Sequence, residues 1–215
     1  MSTTQALLSF SFVALLLTIM PGLDTALVLR TSIVHGRRHA WVAASGIGAG
    51  CLVWGVGAAV GAAALLAASH TAYRVLTFAG ALYLVTFGAR LLWTSLRGTP
   101  PADLAVDVTR SVSSPRSLAT TFAAGAGTNL LNPKIGVFYV ATIPQFIPEG
   151  SSHLLMGVLL AVVHNLIGLL WFVGIIAGTR WAARWLGGPS VARVTDRVTG
   201  VVLVAFGIRL AASAR

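Results

Sequence analysis

A carboxylate, two carboxamides and the chain's only lysine stand inside otherwise apolar sequence, each beside a proline. The first group is Pro21-Gly22-Leu23-Asp24-Thr25. Proline removes a backbone donor and clashes with the preceding turn, and glycine loosens the helix further. Pro21 and Gly22 are therefore expected to interrupt a helix and expose backbone groups that lipid would not tolerate but a polar cavity would. Asp24 beside that break is costly in hydrocarbon unless it is paired or used. The alternative is a first helix ending near Met20, with Asp24 as an interfacial cap. The second group is Thr128-Asn129-Leu130-Leu131-Asn132-Pro133-Lys134. Asn129 and Asn132 are three residues apart and share a helix face. Lys134 lies too deep to snorkel easily. Asp24 and Lys134 together suit a zwitterion, with ammonium on the carboxylate and carboxylate on the lysine; a plain structural salt bridge is the alternative. The third group is His164-Asn165, where an imidazole could carry a coupling proton or simply bond a neighbouring helix for about 1 kcal/mol.

These side chains need membrane helices to position them. Hydrophobic residues make up 56% of the 215 positions and charged residues 9%, with a mean hydropathy of +0.86. A soluble domain carries about a quarter of its residues charged. Apolar runs of about 20 residues, enough to cross hydrocarbon, predict spans near 6–29, 41–68, 72–96, 118–143, 154–179 and 195–213. No basic residue precedes the first run and no clear small-x-small site follows, so it reads as a retained helix rather than a cleaved leader. Arg97 to Ser117, with Pro100-Pro101, Asp103, Asp107 and Arg110, reads as a loop between halves. The net charge of +10 sits between apolar runs, which argues for topology and anionic lipid rather than nucleic acid. Arg30, Arg37, Arg38, Arg90, Arg97, Arg110, Arg116, Arg180, Arg184, Arg193 and Arg197 fall on one side, against Arg74, Arg209 and Arg215 on the other. The positive-inside rule puts the former in the cytoplasm and both termini outside.

Residues 84–91, LVTFGARL, and 203–210, LVAFGIRL, end the third and sixth predicted spans. Pro21 and Pro133 each lie about 15 residues into spans one and four. Three spans per half would invert the second half, the arrangement of many secondary transporters with binding between halves. The expected fold is all-α and integral to the membrane: about six transmembrane helices as two inverted three-helix repeats, helices one and four broken. It forms a single domain over 1–215, with repeat one about 1–97, the polar loop 98–117 and repeat two about 118–215. Gly46, Gly50, Gly57 and Gly61 share one face of span two and read as a packing surface, within the subunit or against a second copy in a homo-oligomer. Tryptophans and tyrosines near span ends read as interfacial anchors. Cys51, the lone cysteine, reads as a small packing residue and excludes a dithiol relay.

PGLD near the start, the basic HGRRHAW, the glycine-rich second span and Asn132-Pro133-Lys134 in the fourth resemble the LysE/RhtB amino-acid exporter family over nearly the whole chain. Leu23 stands where the family's first motif has a second proline, and Ile135-Gly136-Val137-Phe138-Tyr139 is only similar in character. The resemblance implies export of amino acids across the bacterial inner membrane, driven by the proton motive force. Pro21, Gly22, Asp24, Asn129, Asn132, Pro133, Lys134, His164 and Asn165 are the expected substrate or coupling residues, without cofactor or bound metal. Two other classes make different demands. Metal-cation transport would call for clustered carboxylate, imidazole or thiolate ligands, and Asp24 with His164 makes a poor set. An intramembrane serine enzyme would need Ser45 within reach of His164. No GxxxxGK[ST] sequence is present for nucleotide hydrolysis.

Overall fold

A computed structural model describes residues 2–20, 22–97, 117–186 and 189–213. Pro21 and most of the polar loop, residues 98–116, lie outside them. Apart from short turns the described residues are helical, which satisfies the backbone inside each apolar segment. The helices are α1 (Thr3–Ile19), α2 (Leu23–Val34), α3 (Arg37–Ala68), α4 (His70–Arg97), α5 (Leu118–Leu130), α6 (Pro133–Thr142), α7 (His153–Ala177), α8 (Thr179–Leu186) and α9 (Pro189–Ser213), with a 3-10 turn at Ile143–Phe146 after α6.

The ends follow local chemistry. Ser2 and Gln5 form a reciprocal capping box that starts α1. Gly36 supplies φ 81° between α2 and α3. Ser117 and Ser152 cap α5 and α7 through their hydroxyls. Asn132 caps α6 by accepting from the Lys134 amide at 3.1 Å, and Pro133 at the first helical position loses nothing by lacking an N–H. Predicted spans one and four are each two helices here. The axes of α1 and α2 differ by 53°.

Contacts across the bundle fix the helix directions. Gly88 packs on Gly200 and Gly207 on Ala81, so α4 and α9 are antiparallel. Gly55 packs on Ala161 and Gly157 on Ala59, so α3 and α7 are antiparallel too. Gly46 lies on Phe122 and Gly50 on Asn129, which makes α3 and α5 parallel. Gly80 meets Ala141 and Thr77 meets Gln145, setting α6 against α4. Phe10 lies by His164, Thr25 by Trp171 and Ser32 by Thr179, so α1 and α2 run with α7. The arginine-bearing ends meet at one face: Arg37 Nη2 donates to Ala177 O at 3.4 Å, and Arg197 Nε to Ser95 Oγ at 3.1 Å.

Two expectations need correction or qualification. Gly57 and Gly61 are exposed and meet nothing within 4 Å, because thirteen-residue α5 ends opposite the middle of α3. The packing surface of α3 is Gly46 and Gly50 against α5 and Gly55 against α7. By length and composition, three described helices can cross a membrane (Arg37–Leu65, Arg74–Arg97 and His153–Ala177), or four if α1 and α2 form one bent span. That is fewer than six because α5 and α6 are short and the first half of α9 carries Arg193, Asp196 and Arg197.

A Cβ at Gly55 or Gly157 would sit 2.3 Å from the Cβ of Ala161 or Ala59, and such overpacking costs about 1–3 kcal/mol. Gly55→Leu should lower the thermal midpoint in detergent by several degrees, while Gly57→Leu should leave it unchanged. Equal effects of the two would contradict the α3–α7 packing.

Candidate functional site

The two interrupted segments face each other. A break between helices frees carbonyls at the end of one and amides at the start of the next. At the first break Lys134 Nζ, reaching from α6, donates to Met20 O at 3.2 Å. At the second, Trp54 Nε1 from α3 donates to Asn129 O at 3.4 Å. Gly22 caps α2 with extended backbone and no side-chain bond. A Cβ there would lie 3.3 Å from Lys134 Nζ, so the ammonium and the positive end of α2 adjoin. Together they favour an anion.

Asp24 lies in the first turn of α2. Its Oδ2 accepts from Asn129 Nδ2 at 2.7 Å, which ties the two broken segments directly. Asn129 is fully buried, and the same Nδ2 lies 3.4 Å from Cys51 Sγ. Gly50 makes room for it: a Cβ there would meet Asn129 Oδ1 at 2.7 Å. Asp24 Oδ1 and Asn129 Oδ1 are buried and have no hydrogen-bond partner among the described residues. Two neighbouring acceptors left open are suited to a ligand rich in donors.

A cavity of about 470 Å³ joins these groups. Gly22, Asp24, Cys51, Asn132, Lys134, His164 and Asn165 line it, with Leu17, Ile47, Leu166 and Phe172 among its apolar wall. Asn129 stands behind Asp24 rather than on the wall, and Pro133 serves the break itself. His164 Nδ1 lies 2.9 Å from the Tyr139 hydroxyl, enclosed by Phe10 and Phe138. Asn165 Nδ2 donates to Gly48 O at 3.0 Å, bridging α7 to α3. Ser45 Oγ donates to Trp41 O at 2.9 Å, so neither member of the weighed serine–histidine dyad engages the other.

Sequence reasoning missed several participants. Tyr139 lies seven residues after Asn132, two turns along the same face, a signal that was present. Trp54 and Trp171 lie inside predicted spans rather than near their ends and carried no expected role. Trp54 meets the Asn129 carbonyl, which also accepts the Asn132 amide at 3.1 Å, and Trp171 Nε1 donates to Thr25 Oγ1 at 3.3 Å. Trp54 is midway along α3, and that depth was the available clue. Cys51, read as a packing residue, also faces the cavity.

The family model for LysE type translocators matches residues 15–214. The chain belongs to that family. This makes it a membrane transporter rather than an enzyme. Among similar curated proteins, the uncharacterized membrane protein YrhP of Bacillus subtilis (strain 168) is 29% identical over 206 residues, covering 95% of this chain and 98% of its own. The leucine efflux protein of Enterobacter sp. (strain 638) is 29% identical, covering 92% and 91%. The homoserine/homoserine lactone efflux protein of Salmonella typhi is 28% identical, covering 92% of each. No solved structure matches.

A methyl at Gly50 should displace Asn129 from Asp24, and hydrogen bonds to charged groups are worth about 1.5–3 kcal/mol. Gly50→Ala is therefore expected to slow transport by the translocator at least about tenfold with Asp24 itself intact. Wild-type flux in an inserted Gly50→Ala protein would show that the Asn129–Asp24 contact does not matter.

Proposed function

We infer that this translocator exports amino acids or closely related small zwitterions by alternating access, driven by the proton motive force. The observation that carries the reading is the pairing of open acceptors with a cation across one cavity. Asp24 Oδ1 and Asn129 Oδ1 lie buried and unmatched, while Lys134 adjoins the uncapped start of α2. A substrate ammonium supplies the missing donors; its carboxylate meets Lys134 and the first-turn amides of α2. The similar efflux proteins for leucine and for homoserine and its lactone support this substrate class. Lys134 in the same cavity would repel a metal cation, which disfavours that alternative.

Six passes as two inverted repeats fit the helix directions, since each successive segment runs opposite to the last. Under the repeat that aligns Phe87-Gly88 with Phe206-Gly207, the contact Gly88–Gly200 becomes Gly207–Ala81. Such a reciprocal pair is what a pseudo-two-fold axis produces. Arginine-rich ends gathered on one face support a cytoplasmic orientation for that face in the bacterial inner membrane, with both termini outside. Asp24, half-buried at the junction of the segments, is the residue we assign to proton coupling, with His164 held in reserve by its bond to Tyr139.

Counterflow of labelled amino acids in proteoliposomes tests the reading. Exchange of a defined subset should accelerate with an imposed pH gradient and vanish in Asp24→Asn. Lys134→Ala should weaken binding of carboxylate substrates most. Silence across the panel from inserted protein would instead point to metal ions or other metabolites.

A further inference from the structure

The cavity has an unexpected opening. Its exposed lining residues are Ser45 and Leu52 on α3 and Val162, Leu166 and Leu169 on α7. These lie along the antiparallel seam of the two helices, Ser45 at the level of Leu169 and Leu52 at the level of Val162. At a rise of 1.5 Å per residue, Ser45 and Leu52 are about 12 and 22 Å from the start of α3. Val162 and Leu169 are about as far from the end of α7. The opening therefore sits at mid-helix, at the depth of a hydrocarbon core about 30 Å thick. At the arginine-bearing end the route is bridged, by Ser32 Oγ and Thr179 Oγ1 at 2.8 Å and by Arg37 on the Ala177 carbonyl.

The seam itself explains the gap. At Gly55–Ala161 the helices touch so closely that a glycine Cβ has no room. At Gly48 they have parted, and the Asn165 side chain spans them. Polar groups at the mouth are satisfied internally: Asn165 donates to Gly48 O and Ser45 to Trp41 O. A lipid-facing mouth requires just that. Asp24, whose Oδ1 has no hydrogen-bond partner among the described residues, lines the other end, with Asn129 behind it. Polarity is thus graded from a charged interior to an apolar rim.

The geometry points to a lateral portal between α3 and α7 through which the apolar tail of an amphiphilic amino acid extends toward the bilayer while its zwitterionic head occupies the Asp24–Lys134 end. The inference rests on the substrate reading above and deepens it. Selectivity would lie in the head group and in an uncharged tail, with no upper limit on tail length. A closed pocket would impose one.

Competition counterflow with straight-chain 2-amino acids, from ethyl to dodecyl side chains, tests this on the unmodified protein in proteoliposomes. Apparent affinity should rise along the series without a cut-off, by up to about fourfold per methylene. Leu166→Lys should lower the dodecyl-to-ethyl affinity ratio at least tenfold. Exchange of the short members with a sharp loss of affinity beyond a middle length would overturn the portal and leave the substrate reading standing. Absence of exchange by every member would overturn both. Efficient disulfide formation between two copies of Leu166→Cys would also overturn it, by showing that a second subunit covers the mouth.

Discussion

The hydrogen bond from Asn129 to Asp24 joins the two places where the bundle's helices are interrupted. A carboxylate at that depth is tolerable only with a partner, and the Asn129 carboxamide supplies it. Asn132 caps and Pro133 opens the second helix of that segment, the Met20 carbonyl accepts from Lys134, and the Asn129 carbonyl accepts from the Asn132 amide and from Trp54. Asn129 and Lys134 each bond across to the opposite interrupted segment. Without Lys134 the Met20 carbonyl would lose that bond in an apolar surrounding.

Small residues bring the segments that close. Water does not separate helices in a bilayer, so association rests on van der Waals contact and interhelical hydrogen bonds. The α3–α7 and α4–α9 crossings are made by glycine and alanine on both sides, and Gly50 admits the Asn129 amide against α3. Packing and chemistry are coupled there: the residue that lets two helices approach is also the one that aims the carboxamide at Asp24. Where packing relaxes, at Gly48, a side chain replaces backbone contact and the cavity reaches the surface.

Much of this was legible in the chain. Proline and glycine beside charge, inside apolar sequence, located both interruptions, and the cavity gathers Gly22, Asp24, Asn132, Lys134, His164 and Asn165. Helical periodicity put Gly46 and Gly50 on one face, and they do pack. Gly57 and Gly61 pack on nothing within the subunit, because periodicity describes one helix and says nothing of where its neighbour ends. The role of Trp54 was not legible for a related reason: its bond to the Asn129 carbonyl depends on which helix packs beside it. The bridge from Asn165 to Gly48 and the bond between His164 and Tyr139 depend on the relative rotation of helices distant in sequence. Pro21 lies outside the described residues, though the helices on either side of it end as its presence suggests.

The central claim is that the Asp24–Asn129 end of the cavity takes the ammonium and Lys134 the carboxylate. Binding calorimetry with a transported amino acid and two analogues, one without the amine and one without the carboxylate, measures this directly. Asp24→Asn should weaken the amino acid and the amine-bearing analogue but leave the amine-free analogue unchanged; Lys134→Ala should do the converse with the carboxylate. Losses of equal size for both analogues in both variants would contradict the assignment and make the two residues structural supports.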